Sequence, residues 1–259
     1  MVVAELLPSV NELFAWKGWF GQNTWYEFNK TAALAFVSTL ICALVFVVGV
    51  RKRAVVPAGM QNVAELGFET VEEQIAVEVM GPQAGRKWAP FLATLFFWIF
   101  FINIWSTFPG IMFPATSRLA IPLFLAMQTW AIFIIVGIRH QGLRYFINAC
   151  FPPGVPWPLY FLVAPIEFIS KFMLRPFSLA VRLFANMAAG HVLLALFAIM
   201  TNELIVVHAS GWFQIPLGIL PFFALVAMVG FEFLVALLQA YIFTILTAVY
   251  VNESLHAEH

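Results

Sequence analysis

Five side chains that can hold a charge, carry a proton or donate a hydrogen bond stand inside otherwise apolar runs. Arg182, Asn186 and His191 lie in one run, Glu232 and Gln239 in the next. An arginine near the middle of a membrane-length segment costs about 2.5–3.5 kcal/mol on insertion scales, and it cannot shed its proton to escape that cost. Such a residue needs a reason. One reason is a structural salt bridge inside the helix bundle. The other is a functional task for a permanent positive charge. Histidine and glutamate at similar depth suggest proton transfer, because imidazole takes up and releases protons near neutral pH.

Helical geometry organises these residues further. At about 100° per residue, Arg175, Ser178, Arg182 and Asn186 fall within about 40° of one line and form a polar stripe, while His191 lies on the opposite side of the helix from Arg182. Glu232 and Gln239 are seven apart and share a face. Lys171 and Arg175 stand near the end of their segment, where long side chains can reach the interface. The two runs, about 159–207 and 213–251, flank a turn at His208-Ala209-Ser210-Gly211-Trp212-Phe213. In an antiparallel hairpin, residues equidistant from the turn share a depth. Counting from Gly211 matches Arg182 with Gln239 and His191 with Glu232.

The rest of the chain supplies the setting. It has 259 residues, 63% hydrophobic and only 10% charged, against about 25% charged in a soluble domain. Lipid must therefore cover much of the surface. Thr31–Val50 is uncharged and is closed by Arg51-Lys52-Arg53; 88–116 and 119–138 are further span candidates, the first ended by Pro109-Gly110 and the second by Arg139 and His140. A loop with Pro152, Pro153, Pro156 and Pro158 follows. Between the first two spans, Phe68, Val71, Ile75 and Val79 recur at helical spacing among Glu65, Glu69, Glu72, Glu73 and Glu78, which predicts an amphipathic helix lying on the membrane or packed against protein.

The expectation is an all-α, polytopic membrane protein. It has about five membrane-embedded helices, one amphipathic interfacial helix and a long tilted C-terminal hairpin over 159–251. Residues 1–30 form an extracytoplasmic segment and 31–259 a single membrane domain. Lys and Arg concentrate in 51–87 and 139–158, which puts those loops in the cytoplasm, the N-terminus outside and the C-terminus inside. Zero net charge argues against a nucleic-acid partner. Cys42 and Cys150 fit neither a metal motif nor a disulfide framework, and no cofactor is expected. The residues leave three functions open: a proton-conducting subunit of a larger machine, a self-contained ion-coupled transporter, and a structural membrane subunit.

The stretch from Arg175 to His191, with Ser178-Leu179, Arg182-Leu183-Phe184, Asn186 and Ala189-Gly190, resembles the signature of the subunit a family of F-type ATP synthases. Leu238-Gln239-Ala240-Tyr241-Ile242-Phe243, then Leu246-Thr247 and Tyr250, resembles that family's last helix. Residues 88–140, with Asn103 and Pro109, add weaker support. The resemblance implies a non-catalytic proton-translocating subunit of an energy-transducing membrane, here a bacterial plasma membrane. Its partners are a c-ring, b-type peripheral stalk subunits, the soluble F1 head and membrane lipid. It assigns to Arg182 the essential charge facing the c-ring carboxylates and makes Gln239 its neighbour on the last helix. Ser178 stands beside Arg182 on the polar stripe, Asn186, His191 and Glu232 match the outer half-channel, and Glu167 matches an acid of the cytoplasmic half-channel. Many bacterial members carry an acid where His191 stands and a histidine where Glu232 stands, so this chain has the exchanged arrangement.

Overall fold

The computed structural model describes residues 29–51, 59–108, 115–142, 144–151, 157–207 and 214–255. Residues 1–28, the turn at 208–213 and 152–156 of the proline-rich loop lie outside them. Every element described is helical: α1 (Lys30–Arg51), α2 (Met60–Val71), α3 (Glu78–Asn103), α4 (Ala120–Gln141), α5 (Arg144–Cys150), α6 (Tyr160–Phe168), α7 (Arg175–Asn202) and α8 (Gln214–Leu255). Wider π turns at Glu72–Val77, Ile169–Leu174 and Glu203–Val207 continue α2, α6 and α7. Five helical stretches are long and apolar enough to cross a membrane: Lys30–Gly49, Met60–Thr107, Ala120–Gln141, Tyr160–Ile205 and Leu217–Leu255. The protein is an integral membrane protein. At about 1.5 Å per residue, the 42 residues of α8 extend roughly twice the ~30 Å thickness of a hydrocarbon core.

The chain packs as two bodies. The first gathers the described residues through Cys42 with Trp98–Arg118 and Phe184–Gln239; the second gathers Ala43–Phe97, Leu119–Leu183 and the chain from Ala240 onward.

In the first body, Asn29 caps α1 by accepting the Ala32 N–H (3.1 Å). Polar side chains then tie α1 to the end of α3. Trp105 Nε1 donates to Ser38 Oγ (2.7 Å) and Trp98 Nε1 to Thr39 Oγ1 (2.8 Å). With no water in the hydrocarbon, such bonds satisfy groups that otherwise stay unpaired. Residues 184–207 and 214–239 run antiparallel. Gly218 sits against Leu204 and Ile205, and Gly190 against Glu232. The α8 part of this pair buries only a narrow line, including Gly218, Pro221, Glu232, Ala236 and Gln239, and leaves bulky residues such as Phe223 and Leu234 exposed on either side.

In the second body, α2 reverses into α3 at Gly81, whose φ of 77° is a conformation that glycine adopts without strain. Gly85 then lies against the Ala76 backbone, closer than a β-carbon permits. The core joins Val71, Ile75 and Met80 to Leu92, Phe133, Ala248 and Val251, with Phe68 and Val79 packed beside it. The apolar face foreseen for the amphipathic helix is therefore covered by protein. The helix also begins at Met60 and turns back at Gly81, so the next span starts earlier than residue 88 and is helical to Thr107.

Candidate functional site

The site residues fall in both bodies. In the first, Gln239 is nearly inaccessible at 2% exposure, and its Oε1 accepts a hydrogen bond from Asn186 Nδ2 at 2.8 Å. Asn186 itself is exposed. The partner of Gln239 is thus one turn beyond Arg182, the residue that counting from the turn matches with it.

Glu232 is 3% exposed, and its carboxyl group lies against the backbone of Gly190 in the space of an absent β-carbon. This sets it at the level of buried His191, the next residue of α7. Ser106 stands beside the carboxyl, and its hydroxyl also lies 3.0 Å from the Asn103 carbonyl. Thr116 donates in turn to Asn103 Oδ1. Asn103, Ser106 and Thr116 are all completely buried. Among the described residues no cation is ion-paired with Glu232. A buried carboxylate without a cation is expensive, so the position suits a group that gains and loses a proton. Ser106 and Thr116 are not apparent from the sequence, where single hydroxyl side chains in the 88–116 span candidate carry little cost and no pattern.

In the second body, Arg182 is half-buried and Ser178, one turn earlier, is exposed on the same face. No carboxylate among the described residues lies within ion-pairing distance of Arg182. Among the described residues, then, no salt bridge within the bundle holds its charge. Arg175 does pair, with Glu253, and its guanidinium lies 4.8 Å from the centre of the Tyr250 ring. Tyr250 also feels the charge of Arg182. Glu167 is partly exposed and paired with Lys171 at 3.4 Å. Lys171 and Arg175 thus meet carboxylates of their own chain.

Two groups outside the spans are shifted from their ordinary values. Burial pushes the Tyr145 phenol up, partly opposed by the hydrogen bond with Ser254 and by the charge of Arg175. Burial also pushes the Cys150 thiol up, opposed by Lys171, which keeps it a poor nucleophile. Among the described residues no cluster of three or more His, Cys, Asp or Glu is arranged to hold a metal.

Comparison with known proteins gives a single answer. The family model described as ATP synthase A chain matches residues 32–252. The chain is 42% identical to ATP synthase subunit a of Rhodococcus erythropolis, over 90% of this chain and 84% of the relative. It is 40% identical to ATP synthase subunit a of Hyphomonas neptunium, over 90% and 88%, and 38% identical to that of Frankia alni, over 89% and 79%. With the match running nearly end to end and covering both bodies of the fold, the chain belongs to the ATP synthase A chain family.

Proposed function

We propose that this chain is the proton-conducting stator subunit of a bacterial F-type ATP synthase, offering two offset half-channels to the carboxylates of a c-ring. The observation that carries this reading is Arg182: a permanent charge on a half-exposed, polar helix face with no carboxylate among the described residues of its own chain in reach. A carboxylate supplied by a neighbouring subunit completes it. A proton enters from the outside, passes His191 and Glu232, and neutralises a c-ring carboxylate. The neutral acid crosses lipid at far lower cost than the anion. On return it meets Arg182, whose charge favours the ionised form and drives the proton toward the cytoplasm. Asn186 and Gln239 fix the two helices at the level of this exchange. Long α7 and α8, tilted because they exceed the bilayer thickness, present their exposed sides to the ring. The N-terminus lies outside and the C-terminus in the cytoplasm. The b-type stalk subunits and the F1 head complete the machine, and this chain forms no covalent intermediate.

Affinity purification in mild detergent tests the reading. The chain is expected to come out with a ring of small subunits bearing a membrane carboxylate and with the soluble ATPase head. A chain that purifies alone and moves ions unaided in liposomes would show a self-contained ion-coupled transporter instead. For orientation, exposed Asn62 and Arg139 are the positions to replace with cysteine. Labelling of either only from outside intact cells would reverse the topology.

A further inference from the structure

Within the second body, the end of α4, α5, the π turn before α7 and the end of α8 line a partly open cavity of about 30 Å³. That is room for one or two waters. Its wall includes Tyr145, Asn148, Lys171, Arg175, Glu253 and Ser254. Such a wall is unusual in a chain with 10% charged residues. The polar groups are linked to one another: Tyr145 Oη lies 3.3 Å from Ser254 Oγ, Gln141 Nε2 donates to the Ser254 carbonyl (3.2 Å), and Asn148 Nδ2 donates to Gln141 Oε1 (3.3 Å). Polar cavities of this size hold water, whereas empty ones are apolar.

The cavity and Arg182 belong to the same body. Arg175 lies two turns before Arg182 on the same face of the helix, about 10 Å along the axis. The Tyr250 ring lies under the Arg175 guanidinium, and its hydroxyl is in the field of Arg175, Arg182 and Glu253 together. Arg175 in turn holds Glu253 at the cavity wall. Arg175, Tyr250 and Glu253 thus stand together at the water space, two turns along α7 from Arg182. Glu167, the acid suggested by family resemblance, does not line this cavity; it stands beside it, paired with Lys171.

We propose that this cavity is the cytoplasmic mouth of the proton path and that Glu253 is its proton acceptor. The proposal rests on the function proposed above. A c-ring carboxylic acid facing Arg182 gives up its proton and becomes a carboxylate. The proton passes by water past Tyr250 to the Glu253 carboxylate, which becomes the neutral acid. Glu253 then releases the proton to water in the cavity and returns to its pair with Arg175. Nothing is oxidised or reduced.

The test uses the assembled synthase in inverted vesicles, stripped of the soluble head, in a background with Cys42→Ala and Cys150→Ala. Asn148→Cys is introduced at the cavity, and passive proton flux is read before and after a charged methanethiosulfonate reagent is added to the cytoplasmic face. Flux is expected to fall several-fold on labelling and to recover with a reducing thiol. In unlabelled complexes, Glu253→Gln is expected to lower flux several-fold, while Glu253→Asp keeps most of it. Complete labelling at 148 with unchanged flux, or native flux in Glu253→Gln, overturns the assignment. Absence of flux in the cysteine-free parent overturns the proposed function itself, whereas normal flux there with no effect of either change overturns only the mouth.

Discussion

The carboxyl group of Glu232 occupies the space in which residue 190 would carry a β-carbon. Glycine in a helix interior is ordinarily a liability of about 1 kcal/mol relative to alanine. Here it lets a buried acid settle against the helix that carries His191. Gly190→Ala should therefore leave α7 intact, since alanine favours helix, yet push the carboxyl aside. We expect normal amounts of assembled complex with proton flux reduced about tenfold, the effect of roughly 1.4 kcal/mol on a barrier. Native flux in assembled Gly190→Ala complexes would mean that the position of the carboxyl is unimportant.

His191 and Glu232, set at one level of the α7–α8 pair, should act as a unit. His191→Ala or Glu232→Ala alone should each slow proton-driven ATP synthesis. The exchange His191→Glu with Glu232→His keeps one imidazole and one carboxyl at the same depth, so it should retain more activity than either single loss. Coupling shows as non-additivity in a double-mutant cycle. Strictly additive losses, with no recovery in the exchanged protein, would count against the pair.

The bond between Asn186 and Gln239 predicts an asymmetry. Asn186→Leu strands the buried Gln239 amide, a loss of about 1–3 kcal/mol for an unsatisfied group. Gln239→Leu strands only the exposed Asn186, which other groups or water can satisfy. Asn186→Leu should thus lower the amount of assembled complex more than Gln239→Leu, and the double replacement should recover part of it. Immunoblots of assembled complex in native gels decide this. Equal losses from the two single changes would mean that the bond contributes nothing to assembly.

The polar residues that could be read from the sequence were those whose burial in lipid is costly. Arg182, His191, Glu232 and Gln239 stand out because an apolar run tolerates them only for a reason. Ser106 and Glu253 do not stand out. A lone serine in a span candidate costs little to bury, and a glutamate near the end of the last helix can reach water. Their surroundings come from contacts distant in sequence: Ser106 with Glu232, and Arg175 with Glu253 across 78 positions. The periodicity of Phe68, Val71, Ile75 and Val79 identified a helix with one apolar face but not what covers that face, because lipid tails and packed side chains are equally apolar. The Gly81-Pro82 reversal decides it, folding the helix back onto α3. Equidistance from the turn located Gln239 only to within a helical turn, and the hydrogen bond settles on Asn186.

Arg182 gives the sharpest test, because its charge has no carboxylate partner among the described residues of its own chain. If it keeps the two proton paths apart while drawing the proton from the c-ring carboxylate, Arg182→Ala should abolish coupled ATP synthesis while the complex still assembles. Removing the charge also removes the electrostatic barrier between the paths, so passive proton leak should persist or rise. Arg182→Lys should fail or nearly fail as well. Lysine is a compact charge that can lose its proton when desolvated, whereas guanidinium stays charged and presents a broad fork of donors. A structural role predicts the opposite pattern: loss of a buried ion pair leaves its partner charge stranded and lowers assembly. Assembled complex, ATP synthesis and proton leak must be measured in the same membranes. Normal synthesis in assembled Arg182→Ala complexes would remove Arg182 from the mechanism, and reduced assembly without leak would return it to a structural role.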